Sequence, residues 1–503
     1  QAMDDTDAGS TSLGSTHNVF IGLDAGGGTW TDVASNQNVA IGNYAMDSAL
    51  DGALYNTGVG YASLGGITTG DSNTALGHNA GTSITTGAEN VTIGAASGDS
   101  ILGGNYNTIL GSSSAPTLAG GSYNNIIGRR AGYSLSSGEY NTALGSAALY
   151  SLQTGQGSVG LGQAAGYNFT GGGGVFVGYE AGHGVASGDV VFVGYQSGKR
   201  ARGTGNTAMG YGSLYGADST AANNTGTSNT AIGQYALRWF SKTVGSTAVG
   251  AEAGYYTTGS YNTFMGYKAG HGGTTSAPYS SGTHNTAMGF AALTNFTTGQ
   301  TNVAIGGYAG ASVSSGQKNV AVGYTSLNNL RDGTDSVAIG YGSLGAEVTR
   351  GTSVAIGYEA LGLQTEGSDG ANSENIGIGF QAGLRNVTGT GNTSVGFEAM
   401  KGASGQSNSN NTAIGKQALL SVTTGSNNTV MGRLTADALT SGSSNVVIGD
   451  SALGTATTAT LNVVIGGDSM SLVPASVAIQ DVVAIGQNAF KGSASTTTDA
   501  DGT

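Results

Sequence analysis

The sequence predicts an all-β fold, a parallel β-solenoid of the β-roll or β-helix kind with about 17 residues per coil. A five-residue motif occurs 27 times in the 503 residues: Asn, then Thr or Val, a small or apolar residue, an aliphatic residue or Met, and Gly. The motif glycines keep a nearly constant interval, with steps of 17 residues from Gly60 to Gly162. Because each coil of a solenoid returns to the same place on its neighbour, such an interval is typical of this architecture.

The repeats divide the chain into three parts. Residues 1–17 form an N-terminal segment, residues 18–486 a continuous solenoid of 27 repeats, and residues 487–503 a polar C-terminal tail. We find no amphipathic helix that would cap either end of the solenoid. Uncapped coils indicate either end-to-end stacking on neighbouring copies or trimming from a longer chain.

The composition excludes several classes of protein. With 93 Gly but only 3 Pro and 38% hydrophobic residues, the chain is neither collagen nor a simple disordered polymer. Its net charge of −13 argues against nucleic acid and anionic membranes as partners, and no apolar run reaches the length of a membrane span. One basic cluster, Lys199, Arg200 and Arg202, is interpreted as solvated turn residues. A cysteine-free, Gly/Thr/Ser/Asn-rich acidic chain fits an extracellular or cell-surface location.

The pentad reads as a short strand, because Thr, Val and Ile favour extended backbone and Gly ends the run. Side chains alternate across a strand, so positions two and four share one face, which we predict to be the interior. The predicted core residues at position four are Leu76, Ile93, Leu110, Leu144, Ile305, Val322, Ile339, Ile356 and Ile448.

Position three points the other way and is mostly Ala, sometimes Phe, and never charged. A strand that is apolar on both faces is usually buried on both faces. We therefore predict that a second copy of the chain covers this outer face, giving a lateral homo-oligomer. The alternative is that a face of small residues tolerates solvent.

Asn occupies position one in 20 of the 27 copies, where stacked amides can form a ladder along the solenoid. The motif Gly is expected at a bend that requires positive φ or leaves no room for a side chain. The predicted structural ladder comprises Asn73, Gly77, Asn90, Gly94, Asn107, Gly111, Asn141, Gly145, Asn302, Gly306, Asn319, Gly323, Asn445 and Gly449.

Two further features are candidates for contacts. Aromatic residues often follow the motif Gly and are predicted to stack into a packing row, with carbohydrate binding as the alternative: Tyr179, Tyr195, Tyr211, Tyr324, Tyr341 and Tyr358. Three intervals between motif glycines are longer than the rest and contain extra residues, which are expected to form loops. The loops run from Ala217 to Ser228, from Gly273 to Thr283, and from Gln364 to Glu374. Loops of this kind are candidate contact sites on a solenoid, although neutral drift in loop length is the simpler explanation.

The strings Ser336-Val337-Ala338-Ile339-Gly340 and Ser353-Val354-Ala355-Ile356-Gly357 resemble the head repeats of trimeric autotransporter adhesins. The run from Asn141 to Gly155 is similar to repeats of phage tail fibres. The resemblance implies a left-handed parallel β-roll, three chains side by side, and exposure on a cell surface. The repeat here is a few residues longer than in those heads, and neither a coiled-coil stalk nor a membrane-anchor segment is present.

The sequence offers no constellation for catalysis. Its five His residues have no partner at metal-ligand spacing, and the Gly-rich strings lack the Lys-Ser/Thr of a phosphate loop. We therefore expect no enzyme activity, no catalytic or metal-binding residues, and no cofactor. The leading hypothesis is an extracellular structural protein that forms a filament or fibre. The alternative is a surface adhesin or phage tail fibre that binds a host receptor or glycan, and an ice-binding solenoid is a third hypothesis.

Overall fold

The computed structural model describes residues 14–31, 33–186, 188–216, 224–274, 279–349, 351–365, 373–403, 405, 407–475 and 477–492. All regular secondary structure among these residues is β, in 27 strands of three residues each. The chain divides into two compact units, residues 1–246 and residues 247–503, and each is described by itself.

Every strand contains positions two, three and four of one pentad. The strands of the first unit are β1 Val19–Ile21, β2 Val39–Ile41, β3 Thr57–Val59, β4 Thr74–Leu76, β5 Val91–Ile93, β6 Thr108–Leu110, β7 Asn125–Ile127, β8 Thr142–Leu144, β9 Val159–Leu161, β10 Val175–Val177, β11 Val191–Val193, β12 Thr207–Met209 and β13 Thr230–Ile232. The strands of the second unit are β14 Thr247–Val249, β15 Thr263–Met265, β16 Thr286–Met288, β17 Val303–Ile305, β18 Val320–Val322, β19 Val337–Ile339, β20 Val354–Ile356, β21 Ile376–Ile378, β22 Thr393–Val395, β23 Thr412–Ile414, β24 Thr429–Met431, β25 Val446–Ile448, β26 Val463–Ile465 and β27 Val483–Ile485.

Within each unit, every strand pairs in parallel with the next strand in sequence. The register joins equivalent positions: Thr74 lies opposite Val91, Ala75 opposite Thr92, and Leu76 opposite Ile93. The same register holds from β1 to β13 and from β14 to β27. The predicted all-β parallel solenoid with about 17 residues per coil is confirmed.

The prediction of which strand face is the interior was wrong. The middle residue, position three, is buried in every strand, whereas positions two and four point out of the coil. Five of the predicted core residues are 37–49% exposed, namely Leu76, Leu144, Ile305, Ile339 and Ile356. The other four are half-buried, namely Ile93, Leu110, Val322 and Ile448.

The physical reason lies in the width of the coil. The rest of each repeat sends its own side chains inward, such as Ala80 and Ile84 after β4, and both are fully buried. Little space then remains for position three, which is why it is usually Ala. Where position three is Phe176, the residue six places later is Gly182, and a Cβ there would overlap the Phe ring. The interior is therefore filled by matched large and small residues, as close packing requires.

Each unit contains hydrogen-bonded ladders of buried Asn side chains, interrupted where position one is Ser, Gly or Val. Asn90 donates from Nδ2 to Oδ1 of Asn73 (3.0 Å) and to the carbonyl oxygen of Gly104 in its own coil (2.8 Å). Its Oδ1 accepts from the backbone N–H of Asn107 (3.1 Å) and from Nδ2 of Asn107 (3.0 Å). The Nδ2-to-Oδ1 bond to the preceding coil recurs at the other predicted ladder amides, Asn73, Asn107, Asn141, Asn302, Asn319 and Asn445.

The motif glycines have backbone geometry that other residues rarely adopt. Their φ angles lie between 124° and 141° at Gly77, Gly94, Gly111, Gly145, Gly306, Gly323 and Gly449. A Cβ at any of them would overlap the backbone of the motif Gly in the next coil. Both reasons that the sequence suggested for Gly, positive φ and lack of space, therefore apply.

Replacing Gly340 with Ala should destabilise the second unit by about 3 kcal/mol or more, because its φ of 132° and the carbonyl of Gly357 both exclude a Cβ. Gly342 is a matched control in the same coil. Its φ is 60°, and a Cβ there would lie 3.6 Å from its nearest neighbour, Cγ of Glu359. Gly342→Ala should cost about 1 kcal/mol. Equal losses for the two variants in urea denaturation would contradict this assignment.

Candidate interaction surface

The outer strand face is an uncharged, largely aliphatic surface made of positions two and four. Position four is Ile, Leu, Val or Met in all 27 strands, and position two is Thr in 12 strands and Val or Ile in 14, with Asn125 in the remaining one. Isolated exposed apolar residues are normal, but a contiguous apolar surface marks an interaction site. The exposed residues at position four are Ile21, Ile41, Leu76, Leu144, Met209, Ile232, Met265, Ile305, Ile339, Ile356, Ile378, Met431 and Ile485.

A row of aromatic rings follows position five on one flank of this face. Tyr179, Tyr195 and Tyr211 stack with centroid separations of 5.1 and 5.0 Å. In the second unit Tyr324, Tyr341 and Tyr358 stack at 5.8 and 5.1 Å, and Phe380 and Phe397 continue the row. These are the six tyrosines predicted to form an aromatic row. A shorter row, Tyr106, Tyr123 and Tyr140, lies just before position one on the opposite flank.

The ring stacking bears on the carbohydrate alternative. A sugar ring packs against the face of an aromatic ring, but within these rows the faces are turned toward the rings of neighbouring coils. Tyr195 lies between Tyr179 and Tyr211, with interplanar angles of 15° and 5°. Such a row exposes the edges of its rings to solvent. The geometry therefore favours the packing role over a sugar platform.

The candidate contact-loop residues differ in their exposure to solvent. Ser228, Gly273 and Glu374 are exposed and Thr283 is half-buried, whereas Ala217 lies outside the described residues. Gln364 is a correction, because it is fully buried. Its Nε2 donates to Oγ of Ser353 (2.9 Å), and its Oε1 accepts from Nδ2 of Asn375 (2.9 Å). Gln364 thus supplies the ladder amide in a coil whose position one is Ser.

One coil earlier, a buried carboxyl group occupies the equivalent position. Glu347 is fully buried where other coils have an aliphatic residue such as Ile84. Its Oε1 accepts a hydrogen bond from Oγ of Ser373 (3.2 Å), and its Oε2 has no partner among the described residues. Burial raises the pKa of Glu347 to about 8, although the hydrogen bond from Ser373 acts in the opposite direction.

Sequence reasoning missed this buried polar cluster, yet the sequence carries a signal for it. Position one is Ser at 158, 246, 336 and 353, and in the last two coils the residue eleven places later is long and polar, Glu347 and Gln364. Gln364 reaches the hydroxyl of Ser353, so its amide takes the place of the missing ladder Asn. Asn375 then resumes the ladder.

The described residues contain no group of three or more His, Asp or Glu side chains that could hold a metal ion. Among the same residues, no helix has the length and hydrophobicity needed to cross a membrane. Comparisons with protein-family models, with curated proteins and with solved structures found no match to this chain.

Proposed function

We propose that this protein is an extracellular structural protein whose solenoids associate side by side, through their outer strand faces, into a filament or fibre. The observation that carries the proposal is the uncharged aliphatic surface at positions two and four. Exposed aliphatic residues such as Leu144 and Ile339 would leave water on association, at a gain of about 25 cal/mol per Å² of buried apolar area.

The chemistry of the face favours a second copy of the chain as the partner. Equivalent side chains recur once per coil, at the spacing of neighbouring strands of about 4.8 Å. A second copy carries the same period, so its side chains can interdigitate along the whole contact. Positions two and four contain no charged residue, so two such faces meet without unpaired charges.

The resemblance to adhesin head repeats supports the same proposal, since it implies chains packed side by side, in that family as trimers, on a cell surface. Axial stacking remains a prediction from the sequence. An adhesin or tail fibre with a defined tip is the alternative, and electron micrographs distinguish the two. Indefinite filaments support the first, whereas discrete rods of fixed length support the second.

Replacing both Ile305 and Ile339 with Glu should abolish lateral association while leaving the fold intact, because both side chains point outward. Burying unpaired carboxylates at the contact should weaken association at least about 100-fold. The control is a variant with Thr424 and Ser441 replaced by Glu, since both residues are exposed on turns away from the strand face. Sedimentation velocity measures the effect.

The proposal fails if the wild-type chain stays monomeric at high concentration. It also fails if the strand-face variant associates as strongly as the turn variant. Circular dichroism of each variant establishes that the solenoid is intact, so that loss of association is not loss of fold.

A further inference from the structure

Basic residues are concentrated in one part of this acidic chain. Of the 16 Lys and Arg residues in the sequence, five lie within 44 consecutive positions of the first unit. They lie in the coils of β11 and β13, after the motif Gly and so outside the strand face. They are Lys199, Arg200, Arg202, Arg238 and Lys242.

Three consecutive coils bring two of these arginines together around one aromatic ring. The guanidinium carbon of Arg200 lies 5.0 Å from the ring centroid of Tyr215, and that of Arg238 lies 4.8 Å from the same centroid. Arg238 also lies 4.5 Å from the ring of Tyr235 and 5.4 Å from that of Trp239. Arg200, which the sequence suggested to be a solvated turn residue, lies on a turn and is half-buried, and its guanidinium group also packs on a ring.

A glycine makes room for this arrangement. A Cβ on Gly212 would lie 2.7 Å from a terminal guanidinium nitrogen of Arg238 and 2.9 Å from the ring of Tyr235. Packing against three rings favours an ordered guanidinium group at Arg238. An arginine that is already ordered loses less side-chain entropy when it binds.

Within the described part of the chain, no carboxylate pairs with either arginine. Lys199 pairs with Glu180 at 2.6 Å, whereas Arg200 and Arg238 have neither a side-chain hydrogen bond nor an ion pair within the described residues. Their two guanidinium carbons lie at most about 10 Å apart, because both are within 5.0 Å of the Tyr215 centroid. Rings occupy guanidinium faces, and the N–H groups at the edges remain able to donate paired hydrogen bonds to planar anions.

We propose that this arginine–aromatic cluster binds an acidic polysaccharide, a linear polymer that carries carboxylate or sulfate groups. The cluster offers positive charge and hydrogen-bond donors on half-buried side chains, which suit a hydrated anionic chain better than the buried apolar anchor on which a folded protein partner depends. Salt screens the acidic residues that lie beyond about 8 Å, so an anion chiefly meets the local positive charge of the cluster. Nucleic acid binding depends on neutralising many phosphates along a strand, for which two arginines are too few. Binding at this cluster does not require lateral association.

The test measures binding of the full chain to polygalacturonate and to dextran sulfate, with neutral dextran for comparison, in about 150 mM NaCl. The wild-type chain should bind at least one charged polymer and not neutral dextran. Replacing Arg200 and Arg238 with Gln should weaken binding at least about tenfold. The control replaces Arg129 and Arg130 with Gln, which changes the net charge equally in the same unit, and should alter binding less than about twofold.

A second variant separates geometry from charge. Gly212→Val keeps every charge but displaces the guanidinium group of Arg238, and should weaken binding at least about threefold. The proposal is overturned if neither charged polymer binds, if neutral dextran binds equally, or if the control loses as much affinity as the double variant. Equal or tighter binding of single-stranded DNA would overturn it as well.

Discussion

Replacing Asn90 with Asp should lower the free energy of unfolding by about 3–5 kcal/mol at pH 7. Asn90 is fully buried, and its Nδ2 donates to two oxygens, Oδ1 of Asn73 and the carbonyl of Gly104. In the Asp variant an oxygen takes the place of this nitrogen and faces both acceptors without a hydrogen atom. The variant also buries a charge that no cation offsets, so the loss exceeds that of one ordinary hydrogen bond.

The control for this variant is Asn79→Asp in the preceding coil. Asn79 is half-buried, makes no side-chain hydrogen bond within the described part of the chain, and has a φ of 54° that Asp tolerates. It should change stability by less than about 0.5 kcal/mol. Urea denaturation compares the two variants. If both lose equally little, the Asn ladder contributes nothing specific to the stack.

Stability of the second unit should fall as pH rises, because of Glu347. Burial holds the pKa of Glu347 at about 8 in the folded state, against an ordinary value of 4.5. Between these values the folded chain binds a proton that the unfolded chain has lost, so the free energy of unfolding decreases as pH rises from about 4.5 and levels off above about 8. The total decrease is roughly 5 kcal/mol.

Glu347→Gln should remove this dependence and stabilise the unit at pH 9 by a similar amount. Gln364 occupies the equivalent place in the next coil with its amide hydrogen-bonded, so the fold already accepts Gln at this position. The control is Glu374→Gln, because Glu374 is exposed. Denaturation curves collected from pH 5 to pH 9 measure the effect. A wild-type curve that does not change with pH in this range would refute the assignment.

The sequence contains enough to predict the strands, the parallel register, the Asn ladder and the aromatic rows. Each of these recurs once per coil, and stacking in register follows directly from a constant interval. The inside and outside of the strand could not be assigned in the same way, because both faces are apolar. The prediction of the interior face was wrong because it placed the larger residues, those at position four, in the core.

The paired changes in volume could have corrected that assignment. Phe176, Phe192 and Phe264 at position three are each followed six places later by Gly, at Gly182, Gly198 and Gly270, whereas Ala143 at position three is followed by Leu149. Such compensation occurs only between residues that share one interior. The burial of Glu347 was harder to predict, because carboxylates are usually exposed. A carboxylate that occupies this position in one coil also leaves no repeating pattern in the sequence.

Thiol labelling tests directly whether the outer strand face points outward and is covered by a second copy. The chain has no Cys, so single substitutions Ala143→Cys and Leu144→Cys report on neighbouring residues of β8 without background. We predict that a maleimide modifies Cys at 144 rapidly in dilute protein and slowly in concentrated protein, while Cys at 143 stays protected throughout. Rapid modification at 143 would contradict the strand orientation, and a rate at 144 that does not depend on protein concentration would contradict lateral association.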